Sequence, residues 1–201
     1  MKSNVFWYAG LSAVCVYLVA VVVGGILYPG YSHISQDVSQ LTSTQSPIRG
    51  LMNPIFLIYN LLLVVFGVGI YGFDKSRLSK LGAVSIIFVG ILGALLWVFP
   101  INTRGTEMTF VGAGHIVLVS IISLLTVASD FLFWRAFANS HRQLAWISLV
   151  AGVLFLLTGP FAAFTVMSSY AGFFERLPIG VFLLWIVGFC VSMIAVKNSR
   201  E

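Results

Sequence analysis

The sequence predicts an all-α polytopic membrane protein, a six-transmembrane-helix bundle with a short amphipathic helix in its first outer loop. Three observations carry this reading. Of 201 residues, 59% are hydrophobic and only 8% are charged, and the mean hydropathy is +1.02, a composition outside soluble usage. Six apolar runs, at about residues 5–28, 54–73, 81–99, 110–129, 144–168 and 178–196, are each long enough to cross a hydrocarbon core of roughly 30 Å. None of these runs contains Lys, Arg, Asp or Glu.

In lipid every backbone N–H and C=O must be satisfied within the chain, and runs of this length without period-2 alternation do so as helices rather than barrel strands. The first run follows Lys2, but it is too long for a signal-peptide core and no small-residue cleavage site follows it, so it is expected to stay as a helix. Short basic turns join the second run to the third (DKSRLSK) and the fourth to the fifth (RAFANSHRQ). The other face carries the longer connections: Gly30 to Pro54, Pro100 to Thr109 and Ser169 to Leu177. No internal repeat or interdomain linker is evident, and one integral membrane domain over residues 1–201 is expected.

An even number of spans puts both termini on one side. That side carries Lys2, Lys75, Arg77, Lys80, Arg135, Arg142, Lys197 and Arg200, against Arg49, Arg104 and Arg176 on the other. The positive-inside rule makes the basic side cytoplasmic, so the expected place is the cell's inner (plasma) membrane with both termini cytoplasmic. The net charge of +5 therefore reads as topology and not as a nucleic-acid footprint. The partners expected are membrane lipids and, in one reading, another membrane protein.

The segment Gly30–Pro54 is the most polar stretch between spans. Ile34, Val38 and Leu41 recur in it at helical spacing, and Ser32, Ser35, Asp37 and Ser39 offer helix-start signals, which predicts a short amphipathic helix in an ordered cap. His33 and Asp37 are four apart, the spacing of one helix face. His115, in Gly112-Ala113-Gly114-His115, lies well inside the fourth span, where an imidazole needs a partner. That partner is either a neighbouring helix, with the glycines allowing close approach, or a ligand.

Asn53 and Asn60 are seven apart, on one face of the second helix, which must turn inward. His33, Asp37, Arg104, Glu107, Glu175 and Arg176 lie in the three outer loops around the same end. Such a set has the parts for acid–base work, for a metal site or for holding a charged head group, and equally for loop salt bridges. HExxH, GxSxG and CxxC are absent, and neither a metal nor a cofactor is assigned.

Pro160 should kink the fifth helix in its outer half. Asp130, at the inner end of the fourth span, has Lys80 and Arg135 as candidate partners, and Cys15 and Cys190 read as small buried hydrophobes. Trp97, Trp134 and Trp146 with Tyr28, Tyr71 and Tyr170 sit at span ends as interfacial belts.

GYSHISQDVSQLTSTQSPIRGLMNP resembles the GYSHxSxxISELGA-x-G-x-P…N region of the membrane family called domain of unknown function 998. Phe99-Pro100, Gly105, Gly112 to His115, and Gly172-Phe173-Phe174-Glu175-Arg176 are similar to its further positions. The resemblance spans nearly the whole chain and implies six helices with a shortlist of His33, Ser39, Arg104, Glu107, His115, Glu175 and Arg176. This chain departs at Ser39-Gln40-Leu41-Thr42, where the family shows Ser-Glu-Leu-Gly.

The leading functional expectation is an outward-facing polar pocket for a lipid or small amphipathic ligand, with the arginines meeting an anionic group. The second is an intramembrane hydrolase or lipid-modifying enzyme, metal-dependent or not, using His115 or His33 as base with Glu107 or Asp37 as orienting partner. The third is a structural subunit of a larger membrane assembly.

Overall fold

The computed structural model describes residues 4–198, with side chains through Ala195. Lys2, Arg200 and the side chain of Lys197 lie outside the described residues. Among those described there is no strand, and six helices follow one another: α1 (Val5–Leu27), α2 (Arg49–Phe73), α3 (Arg77–Leu95), α4 (Phe110–Phe137), α5 (Arg142–Phe164) and α6 (Ala171–Asn198). All six are long and apolar enough to span a bilayer, and the chain is a multi-pass membrane protein.

Each helix packs on its successor and α6 returns against α1, closing a ring. Two ends are defined by side-chain contacts. The Phe73 ring is 6.1 Å from Trp7 and 5.2 Å from His141, so the start of α1, the end of α2 and the α4–α5 turn share one end, called the terminal end below. The three longer loops meet at the opposite end, the cap end.

Toward the terminal end the ring is filled with aromatic side chains. Phe133 stacks on Phe137 at 5.8 Å and on Trp185 at 5.6 Å, while Phe66 meets Phe189 edge-on at 5.8 Å. Trp185 donates its indole N–H to Ser148 Oγ at 3.0 Å, which satisfies a donor that lipid would leave unpaired. Helices α2 and α3 approach closely because Gly90 lies against the Asn60 carbonyl, only 2.7 Å from where a Cβ would sit. Leu18, Val22, Leu124, Leu157 and Leu184 face outward to the acyl chains.

Helices α2, α4 and α6 outrun their apolar runs, whereas α5 stops at Phe164, four residues short of the expected end at Ser168. Helix α2 starts at Arg49, α3 at Arg77 and α6 at Ala171, and α4 continues to Phe137. Apolar length measures the hydrocarbon crossing, whereas the helix itself continues to wherever a cap stops it. Ser76 caps α3 by accepting from the Ser79 N–H, and Thr109 caps α4 by accepting from the Gly112 N–H. Glu175 and Arg176 are therefore helical residues rather than members of the third outer loop. Helix α3 ends early, at Leu95, and the chain turns through Trp97 to Phe99.

The first outer loop carries its short helix as a five-residue 3-10 turn, Val38–Thr42, called the cap helix below. Val38 and Leu41 are buried against α1, α2 and α6, whereas Ile34 is 55% exposed in the turn before it. His33 and Asp37 thus do not share a helix face. Two further expectations are corrected. Cys190 is buried but Cys15 is exposed on the lipid face. Asp130 is 1% exposed and forms no ion pair with Lys80 or Arg135 among the described residues: its Oδ1 has no hydrogen-bond partner there, and Lys80 lies over the Tyr71 ring at 5.3 Å.

Candidate functional site

Beneath the cap the ring is hollow. A cavity of about 220 Å³ is walled by Ser39 and Thr42 of the cap helix, Asn53 and Asn60 of α2, Trp97 after α3, His115 and Ser123 of α4, and Glu175 of α6. Apolar side chains complete the wall, among them Phe56, Leu63, Val89, Ile122, Phe155 and Phe182. A mostly apolar hollow with a few convergent polar groups is the usual form of a small-molecule site.

His115 is 4% exposed and bonded at both ring nitrogens. Nδ1 lies 2.8 Å from the Phe99 carbonyl oxygen, and Nε2 lies 3.2 Å from Ser39 Oγ. A carbonyl only accepts, so Nδ1 carries the proton and, in the neutral ring, Nε2 accepts from the Ser39 hydroxyl. The arrangement depends on the glycines of α4. Gly114 accommodates the Phe99 ring, 2.6 Å from where a Cβ would stand, and Gly112 accommodates the Asn102 side chain.

The arginines hold the cap and do not line the cavity. Arg176 donates from Nη1 to the carbonyls of Gln36 at 3.0 Å and Gly172 at 2.7 Å, and from Nη2 to Tyr31 Oη at 2.7 Å and His33 Nδ1 at 3.3 Å. Arg104 donates to the carbonyls of Ser35, Val166 and Ser168, tying the first outer loop to the α5–α6 connection. Most of these donors are held by the protein itself, by backbone oxygens and, for Arg176, also by Tyr31 Oη and His33 Nδ1, while Arg176 Nε is buried without a hydrogen-bond partner among the described residues; neither guanidinium lines the cavity. Glu175 Oε2 accepts the Val38 N–H at 2.6 Å, the first donor of the cap helix.

Of the residues singled out from the sequence, the cavity thus brings together Ser39, Asn53, Asn60, His115 and Glu175. His33, Asp37, Arg104 and Arg176 form a second layer above it, and Glu107 stands apart, exposed, in the second outer loop. Among the described residues no group of His, Cys, Asp and Glu is gathered as a metal would require.

Partial burial, and then the Arg176 cation, hold the His33 imidazole below its ordinary value of 6.5. Burial raises the Asp37 carboxyl above 3.8 against the pull of Arg104 and Arg176. Burial likewise pushes the Tyr31 phenol to about 12, opposed by Arg176. Because the folded value of His33 is depressed, its contribution to the cap is fully present above the ordinary 6.5 and is lost as pH falls through the lower folded value. Asp37, with a raised folded value, contributes in the opposite sense: its contribution is present below 3.8 and lost as pH rises. Acidification from about pH 7.5 to about pH 5 is expected to lower the protection factors of the amides in the turn from Tyr31 to Asp37, once the intrinsic slowing of exchange at lower pH is divided out, through protonation of the ring that accepts from Arg176. His33→Ala should abolish that step, and an unchanged step in the variant would contradict the assignment.

Sequence reasoning missed several residues. Gln40 donates to the Asn102 carbonyl at 3.2 Å and accepts from the Arg104 N–H at 3.1 Å, so it joins the first and second outer loops. An ionised Glu at this position would supply only the acceptor half of that bridge, which gives Gln40 a physical role. Tyr17 and Tyr59 also line the cavity, their rings 5.0 Å apart. A phenol inside a span must find a polar outlet, and that was the available signal.

No curated protein and no solved structure matches the chain. A family model does, over residues 11–192, a stretch that contains the whole cap and every cavity-lining side chain named above. The chain, with its six membrane-spanning helices, therefore belongs to the family described as Protein of unknown function (DUF998).

Proposed function

We propose that the cavity beneath the cap binds a single-chain lipid or a similarly small amphipathic ligand with an uncharged polar head. The observation that carries this is Asn53. It is 8% exposed, it lines the cavity, and its side-chain amide makes no hydrogen bond among the described residues. The amide is open to the hollow rather than sealed in protein, so a ligand's polar head can pair with it for roughly the net worth of one hydrogen bond.

Size and charge narrow the class. At about 220 Å³ the hollow is smaller than drug-sized sites of roughly 300–1,000 Å³, which suits one acyl chain rather than a two-chain lipid. The wall contains Glu175 but neither arginine, which favours a neutral head over an anionic one. Lys75, Arg77, Lys80, Arg135 and Arg142 lie toward the terminal end, and this basic bias supports a cap facing outward with cytoplasmic termini.

The test is equilibrium binding of dodecylglycerol ether and of dodecanoate to the detergent-purified protein. The ether is expected to bind saturably and more tightly than the acid. Asn53→Ala should weaken it about three- to tenfold, the worth of one hydrogen bond. Absence of saturable binding, or an unchanged affinity in Asn53→Ala, would overturn the reading.

A further inference from the structure

The geometry points to Ser39 and His115 as a nucleophile–base pair on the cavity wall that cleaves the carboxylic ester of a single-chain lipid. This rests on the reading of the cavity as an amphiphile site and adds a reaction to it.

Three features separate this serine from the others. Within the spans, Ser85, Ser120, Ser129 and Ser192 each donate to a carbonyl of their own helix three or four residues back. Ser39 instead directs its hydroxyl at an imidazole, 3.2 Å from Nε2. It is half-buried and lines the cavity, so an entering group can reach its oxygen. The third feature is the ring's other nitrogen, held 2.8 Å from the Phe99 carbonyl oxygen, which fixes both the tautomer and the plane. A nucleophile within hydrogen-bond reach of a base that is itself oriented by a third group is the arrangement of covalent acyl transfer. Here a backbone carbonyl takes the place of the orienting carboxylate.

The step balances with water as co-reactant. Ser39 Oγ attacks the ester carbonyl carbon while its proton passes to His115 Nε2, and the carbonyl π pair moves onto oxygen. Asn53, the uncommitted amide on the same wall, is the donor assigned to that oxygen. Collapse breaks the acyl C–O bond, and the leaving alcohol takes the proton from His115. Water then attacks the acyl-serine, giving a proton to His115 that returns to Ser39 Oγ. One ester and one water become one carboxylic acid and one alcohol.

The experiment uses the purified full chain, a long-chain fluorophosphonate and the ester monolaurin. Wild type is expected to be labelled at Ser39, located by peptide mapping, and to hydrolyse monolaurin. Ser39→Ala should lose both while binding dodecylglycerol ether within about threefold of wild type, since the ether has no acyl carbon to attack. His115→Gln should slow labelling at least about a hundredfold. Ether binding with no label on wild-type Ser39, or monolaurin hydrolysis persisting in Ser39→Ala, overturns the nucleophile and leaves the binding site standing. Equal labelling rates in wild type and His115→Gln overturn the role of the base. Failure of ether binding itself overturns the cavity reading beneath both. The mapping of wild type and Ser39→Ala decides the nucleophile even where His115→Gln does not fold.

Discussion

Arg176→Ala is expected to release the cap. The guanidinium joins α6 to the turn before the cap helix through the Gln36 carbonyl, the Tyr31 hydroxyl and His33, and to its own helix through the Gly172 carbonyl. Of the three bonds to the first outer loop, the two shorter ones, to the Gln36 carbonyl and the Tyr31 hydroxyl, at about 1.5 kcal/mol each, put the local loss near 3 kcal/mol. Amide exchange between Tyr31 and Thr42 should then rise about a hundredfold, since each 1.4 kcal/mol is a factor of ten, while the aromatic core near the termini stays protected. Arg176→Lys should recover less than half of the protection, because an ammonium reaches one carbonyl where the planar fork reaches several groups. Exchange unchanged in Arg176→Ala would show that the loop is held by its other contacts, such as Glu175 on the Val38 N–H.

The lipid-crossing architecture was legible in the sequence because lipid leaves the backbone so little choice. Six uncharged apolar runs have to be helices, and successive crossings set the loops at alternating ends. Helix ends were less legible, because they depend on caps and turns that apolar length does not record. The run through Leu95 to Phe99 stays apolar, yet the helix stops at Leu95 and Phe99 turns its carbonyl toward His115. No side-chain pattern announces a backbone acceptor, so the need of His115 for a partner was readable and the partner's identity was not.

The charged residues mislead for a related reason. Arg104 and Arg176, placed in outer loops by the sequence, suggest an anion, but a turn-rich loop offers many carbonyls without donors, and these take guanidinium N–H groups as a carboxylate would. Glu175 was placed at the site by position alone. Its task of accepting the Val38 N–H follows from the 3-10 form of the cap helix, which leaves its first donor open. The pairing of Asp130 with Lys80 failed because Lys80 sits on the outer face of α3 over Tyr71, while Asp130 packs inward, its Cβ 3.1 Å from where a Cβ on Gly152 would stand.

Filling the hollow is expected to have the larger functional effect. Ala94 lines the cavity at the end of α3 and is half-buried there. In Ala94→Trp the indole occupies space that is open in wild type, so the usual overpacking cost of about 1–3 kcal/mol should be largely avoided and thermal stability kept. A ligand that needs the about 220 Å³ beneath the cap loses that place when the indole takes it.

Native mass spectrometry of wild type and Ala94→Trp, each incubated with dodecylglycerol ether and released from detergent, measures this directly. Wild type should carry one ether per chain, and Ala94→Trp should have lost it by at least about 30-fold in apparent affinity at unchanged thermal stability. An adduct retained by Ala94→Trp, or absent from wild type at every ether concentration, would show that the space between Asn53, His115 and Glu175 is not a ligand site.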